Sequence, residues 1–243
     1  MKKVLLVVSI LMGIFMVACG AKKDGTQKVY VGTNAEFAPF EFLEGDKVVG
    51  FDMDLITEIG KLQGFEVQVQ NQAFDGLLPA LQAKKIDLII AGMTVTDERK
   101  KAVNFSESYY TASQVIIVPE GNDTIKTYDD LKGKNVGVQI GTTGDTIISE
   151  IKEITNTKFN NGSEAVMALL AGKVEAVVID NEPAKNFVAK NKGLKVVEAE
   201  AVKEDYAIAI NKENTELLEK INAGLKTLKE NGKYDELVGK WFK

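Results

Sequence analysis

Arg99, Asp180 and the neighbouring Thr142 and Thr143 are the residues of this 243-residue sequence whose types and settings offer recognition chemistry. The guanidinium of Arg99 is a planar, two-pronged donor that matches a carboxylate. Thr96 is placed as a helix N-cap, with Asp97 and Glu98 in the first turn, so Arg99 sits where a helix opens. Taken alone, a surface arginine paired with a neighbouring acid is the commoner use of such a residue. Asp180 closes the apolar run Ala176-Val177-Val178-Ile179, where a carboxylate is costly unless paired. It suits an ammonium partner or, ahead of Glu182 and Pro183, a helix N-cap. Thr142 and Thr143 follow Gly141, which permits tight backbone approach. Asp52 and Asp54 are spaced like a two-carboxylate enzyme site but read better as an N-cap and a first-turn acid. Lys84-Lys85 and Lys100-Lys101 read as solvated helix ends.

Much chemistry is excluded by what the chain lacks. It has no histidine and one cysteine, Cys19, which removes Ser-His-Asp and Cys-His catalysis, His-ligated zinc and an intrachain disulfide framework. No metal or cofactor is expected. A formal net charge of −5 gives no general attraction to nucleic acid. The hydrophobic fraction of 45% and charged fraction of 27% are those of an ordinary globular chain.

The elements that must position these residues alternate between strand-like and helix-period segments. VYVGT is followed by FDMDLITEIGKLQG, VQVQ, DGLLPALQAKK and IDLIIAG, the pattern of an α/β fold with a largely parallel sheet. Leu55, Ile56, Ile59 and Leu62 mark one face of a helix that Gly64 stops. PALQAKKIDLIIAG (79–92) is echoed by MALLAGKVEAVVID (167–180), each a helix, a tight turn and a buried strand. Val31-Gly32-Thr33 reads as the counterpart of Ile140-Gly141-Thr142. Two lobes of like topology would face each other across a cleft at the C-terminal ends of their strands, where ligands of open α/β sheets bind.

The N-terminus reads as an export signal. Lys2 and Lys3 precede an apolar or small stretch from Val4 to Ala18, too short for the about twenty residues of a membrane span. Its end, Met16-Val17-Ala18-Cys19-Gly20, resembles a lipobox, with Met16 and Val17 departing from the usual residues. The expectation is a signal peptide over 1–18, lipidation at Cys19 and a flexible tether over 19–28.

Longer segments carry a wider resemblance: TNAEFAPFEF (33–42), VGFDMDL (49–55), FDGLLPALQAKKIDLIIAGMTVTDERKKAVNFSESYY (74–110), VGVQIGTTG (136–144), AVVID (176–180) and LKENGKYDELVGKWF (228–242). In this order they resemble the amino-acid-binding proteins of polar and basic amino-acid ABC importers, the bacterial extracellular solute-binding proteins of family 3. The resemblance implies a two-lobed type II periplasmic-binding-protein fold with a hinged interlobe cleft. The first lobe would be discontinuous, 29–109 plus 206–243, and the second 110–205. Crossings are expected near Tyr109–Ser113 and Val202–Tyr206, with the C-terminal segment packing back on the first lobe.

The resemblance also implies roles. Arg99 stands at the carboxylate-binding arginine and Asp180 at the ammonium partner. Ala91, Gly92 and Thr94 would add a carbonyl, an N–H and a hydroxyl, while Thr142 and Thr143 would donate to the carboxylate. Phe37 and Phe74 would flank the side-chain stem, although core packing is the usual fate of a phenylalanine. Neutral Asn34 and Gln139 suit an amide, and Glu36, Glu41 or Asp75 could answer a cationic side chain. The balance leans to arginine or lysine over glutamine. The expected partners are a free L-amino acid, the importer's transmembrane subunits and the membrane through a lipid anchor, with the protein an exported monomer on the cell envelope. The rivals are a prephenate-type dehydratase on the same scaffold and a ligand-sensing domain. The former needs a general acid in the cleft, and no residue of the sequence stands out for that part.

Overall fold

The computed structural model describes residues 26–199 and 203–242. The leader, Cys19 and the Val202 end of the second crossing lie outside the described residues. The first half runs β1 (Gln27–Thr33), a small antiparallel sheet of β2 (Glu36–Phe37), β3 (Glu41–Glu44) and β4 (Lys47–Val49), then α1 (Phe51–Gln63) and β5 (Phe65–Asn71). It continues through α2 (Phe74–Gln82), β6 (Leu88–Ile89), α3 (Asp97–Ala102) and β7 (Val103–Phe105). The long strand β8 (Tyr110–Pro119) leads to β9 (Asn135–Gln139), α4 (Thr143–Glu150), β10 (Thr155–Phe159) and α5 (Gly162–Leu170). Next come β11 (Ala176–Asp180), α6 (Asn181–Lys190) and β12 (Leu194–Val197). The chain returns through β13 (Lys203–Tyr206) and ends with β14 (Ala209–Asn211), α7 (Thr215–Glu230) and α8 (Lys233–Trp241).

Two lobes of α/β architecture result. One sheet has the order β5-β1-β6-β14-β7 and the other β10-β9-β11-β8-β12. Each begins with three parallel strands and ends with two antiparallel neighbours. The echo in the sequence is structural down to single hydrogen bonds. Ala83 N–H donates to Pro79 O (2.9 Å) as Ala171 N–H does to Met167 O (3.0 Å). Lys85 N–H donates to Ala80 O and Lys173 N–H to Ala168 O, both at 2.9 Å. The turn between needs a left-handed residue, supplied by Lys84 (φ 57°) in one lobe and Gly172 (φ 67°) in the other. Asp87 and Glu175 each hook the following strand to its neighbour, accepting from Tyr30 N–H (2.7 Å) and Asn135 N–H (3.0 Å).

One part of the expected correspondence is wrong. The ladder pairs Gly32 with Ile89 and Gly137 with Val177, so Gly32 matches Gly137 rather than Gly141. Packing explains the two glycines. A Cβ at Gly32 would stand 2.4 Å from Ile86 Cδ1, and one at Gly137 would stand 3.4 Å from the equivalent Val174. Asn34 and Gln139 are therefore equivalent, each just at or beyond a strand's C-terminal end. Gln27 and Lys28, expected within a tether, instead belong to β1 and pair with Phe65 and Glu66.

Between the lobes, β8 and β13 pair antiparallel from Tyr110↔Tyr206 to Ser113↔Lys203. Beneath them Phe40, Phe51, Tyr110, Tyr206 and Phe242 form one aromatic cluster, with Phe242 stacked on Tyr110 at 4.9 Å. Asp54 holds α8 onto the first lobe, accepting from Lys240 Nζ (2.6 Å) and Trp241 Nε1 (2.8 Å).

Candidate functional site

The C-terminal ends of the parallel strands of both lobes meet at a tightly closed pocket with a free volume of about 10 Å³, about the room of one water, so an amino acid fits only once the lining parts. Every residue expected in the cleft lines it: Asn34, Phe37, Phe74, Ala91, Gly92, Thr94, Arg99, Gln139, Thr142, Thr143 and Asp180. Glu41 joins them. Glu36 and Asp75, its alternatives as an acid for a cationic side chain, are exposed outside the lining.

Thr96 caps α3 as expected, accepting from Arg99 N–H at 3.1 Å. The Arg99 side chain turns inward, 8% exposed, with its guanidinium 5.5 Å from the Phe74 ring centroid. Nη1 donates to Thr94 O (2.7 Å) and Nη2 to Gly141 O of the other lobe (3.0 Å). No acid lies within ion-pair distance of it among the described residues, so the surface ion pair is not its role. Burial lowers its pKa, and the charges of Glu204 and Asp180 oppose that shift.

Asp180 occupies the N-cap position of α6, but its side chain makes no capping bond. It instead accepts from the Tyr206 hydroxyl at 2.5 Å. Burial first, then the Glu204 charge, raise its pKa to about 7, with the Tyr206 and Gln114 donors pulling the other way.

Asp52 corrects the N-cap expectation. Gly50 holds that position, and Asp52 lies one residue into α1 with its carboxylate fully buried. Its Oδ2 accepts from Gly92 N–H (3.0 Å) and the Tyr109 hydroxyl (2.8 Å). Helical geometry turns this position towards the cleft while Asp54, two residues on, faces α8. Asp52 has a pKa of about 6, raised by burial and held back by its donors. Beside it lies Glu41, whose pKa is pushed well above the usual range by burial and then by Asp52 and Asp180. Neither Glu41 oxygen meets a donor from another residue. Two adjacent buried carboxyls resist ionising together without a cation, so burial and the neighbouring acids favour the protonated form of Glu41 until a positive group enters beside it. The cleft therefore holds the carboxylic acid for which no residue stood out in the sequence.

Four residues depart from their expected roles. Gly92 N–H is taken by Asp52, and the hydroxyls of Thr94 and Thr143 both donate to Glu204 (2.9 and 2.7 Å). The Thr142 hydroxyl donates to Gln139 O (2.8 Å) while capping α4. The N–H groups of Thr94 and Thr143 have no acceptor among the described residues. Gly92, at φ 53°, presses against Phe37, whose Cε1 lies 2.8 Å from where a Cβ would stand. Gln139 Nε2 donates to Asn34 Oδ1 across the cleft at 2.9 Å. Glu204 was missed in the sequence. Only its alternation with Tyr206 on a short strand pointed inward, and that signal is weak for a charged residue.

Residues 29–243 match the family described as bacterial extracellular solute-binding proteins, family 3. The chain belongs to that family. It is 37% identical over 253 aligned positions to the arginine-binding extracellular protein ArtP of Bacillus subtilis, covering 100% of this chain and 98% of that protein. Among solved structures it is similar to an ancestral arginine-binding protein bound to arginine, with TM-score 0.86, 46% identity and coverage of 89% and 98%. It is equally similar to an ancestral arginine-binding protein bound to glutamine, with TM-score 0.86, 47% identity and coverage of 88% and 97%. These relatives are binding proteins rather than enzymes. Family membership, not a missing acid, separates this chain from the dehydratase reading.

Proposed function

We propose that this protein captures free L-arginine, or a closely related cationic amino acid, and delivers it to an ABC importer. The observation that carries the reading is the charge balance of the cavity. One buried cation, Arg99, faces two lining acids, Asp180 and Glu41, with Asp52 behind them. A zwitterionic ligand answers Arg99 with its carboxylate and Asp180 with its ammonium. Glu41 is left for a second positive group. Thr94 and Thr143 N–H assist at the carboxylate, and Phe37 and Phe74 flank the aliphatic stem. Asn34 and Gln139 add amide groups that suit a guanidinium or an amide. The similarity to arginine-binding proteins supports the same ligand class.

In this reading residues 29–109 and 206–243 form the first lobe, 110–205 form the second, and β8 and β13 carry the hinge. Ligand bridging the lobes favours the closed form that the importer recognises. The leader exports a monomeric protein and Cys19 carries the lipid that anchors it to the envelope membrane. The test is a thermal-shift screen of the twenty amino acids on protein refolded to remove carried ligand. Arginine is expected to give the largest shift. A shift confined to glutamine or asparagine would replace the cationic assignment, and no shift with any amino acid would overturn the reading.

A further inference from the structure

Glu204 does not line the cavity, yet it organises two residues that do. It lies on β13, opposite Ala112 of β8, and is 6% exposed. One oxygen, Oε2, accepts from Thr143 Oγ1 (2.7 Å), Thr94 Oγ1 (2.9 Å) and Gln114 Nε2 (3.1 Å). Gln114 Nε2 also reaches Thr143 Oγ1 at 3.2 Å. Thr94 belongs to the first lobe, while Thr143 and Gln114 belong to the second. A single carboxylate oxygen on the return crossing therefore ties residues of both lobes together.

Two consequences follow from donor chemistry. A hydroxyl has one proton, so Thr94 and Thr143 cannot donate theirs to a ligand while Glu204 holds them. Their backbone N–H groups are thereby left as the donors on offer, in fixed positions on opposite sides of the cleft. Glu204 is also the leading countercharge of Arg99. It compensates the buried guanidinium without an ion pair that would occupy the two-pronged face.

We infer that Glu204 is a positioning residue for the carboxylate end of the ligand, a latch that sets the closed register of the lobes by gathering Thr94 and Thr143. The ligand part of this inference rests on the solute-binding reading; the latch part does not. The test compares the full wild-type chain with Glu204→Gln, which keeps the shape and removes the charge, and with Thr143→Val. Calorimetry with arginine and its uncharged isostere citrulline reads the ligand part. Small-angle scattering of the ligand-free proteins reads the latch.

Expected for Glu204→Gln is a loss of about tenfold in affinity, the equivalent of about 1.4 kcal/mol. The factor should be alike for both ligands, because the carboxylate end is common to them. The ligand-free variant should also be more open than wild type. The variant combining Glu204→Gln with Thr143→Val should lose little beyond the larger single loss, since both changes break one linkage. Wild-type affinity in Glu204→Gln, or losses that simply add, would overturn the positioning role. An unchanged scattering profile would overturn the latch. If wild type binds no amino acid while Glu204→Gln still opens, the solute reading falls and the latch stands.

Discussion

Replacing Arg99 by alanine removes the one cation among the described residues that line the cavity and tests the carboxylate assignment directly. Its guanidinium has five N–H groups, of which two bond Thr94 O and Gly141 O, leaving three. A two-pronged contact with a carboxylate uses two of these, at about 1.5–3 kcal/mol each for hydrogen bonds to charged groups. Thr94 and Thr143 N–H would still hold part of the anion, so the lower end applies. The expected loss is about 3 kcal/mol, or roughly 150-fold in Kd. Arg99→Lys should fall between, because an ammonium keeps the charge but not the planar fork. Calorimetric titration with arginine and citrulline is the assay, with circular dichroism confirming the fold. The loss should be equal for both ligands. A Kd within about threefold of wild type for Arg99→Ala would refute the assignment, since the buried cation would then contact no ligand.

Ionisation of the cleft acids makes a second prediction. Asp180 at about 7 and Asp52 at about 6 both stand above their ordinary 3.8, and Glu41 is raised as well. From about pH 4 to about pH 7 the folded protein binds more protons than the unfolded chain, so ligand-free stability falls as pH rises through this window. Tm of the ligand-free protein should decline there, and Asp180→Asn should flatten the decline; a Tm rising across the window in wild type would contradict the cause given. Glu41→Gln should cost arginine about tenfold or more in affinity and leave citrulline nearly unaffected, the signature of a lost buried charge partner. Equal losses for both ligands would move Glu41 from the charge-selecting position to a purely structural one.

Local pattern made much of the protein legible in its sequence. The buried period of Leu55, Ile56 and Ile59, the Gly64 stop and the Thr96 cap appear in the structure, because each depends on residues within a turn or two, although Leu62, the fourth residue of that face, is exposed. The repeat around 79–92 and 167–180 announced two lobes, since the same helix–turn–strand unit needs the same spacing wherever it occurs. The cleft residues were reachable because strand C-termini converge in such a fold, and a family resemblance named them.

What the tertiary structure alone decided is which polar group serves which. Asp52 has the sequence setting of an N-cap, yet its carboxylate is committed to Gly92 and Tyr109, residues 40 and 57 positions away. Glu41 reads as an ordinary strand acid until α1 and β11 bring Asp52 and Asp180 against it. Glu204 gathers Thr94, Gln114 and Thr143 from across the hinge. The true partner of Gly32, Gly137 rather than Gly141, is set by strand register. Periodicity reports which face of an element is buried. It carries no information on which distant donor a buried carboxylate meets, and in a site where every hydroxyl and N–H is allotted, that pairing determines what remains for the ligand.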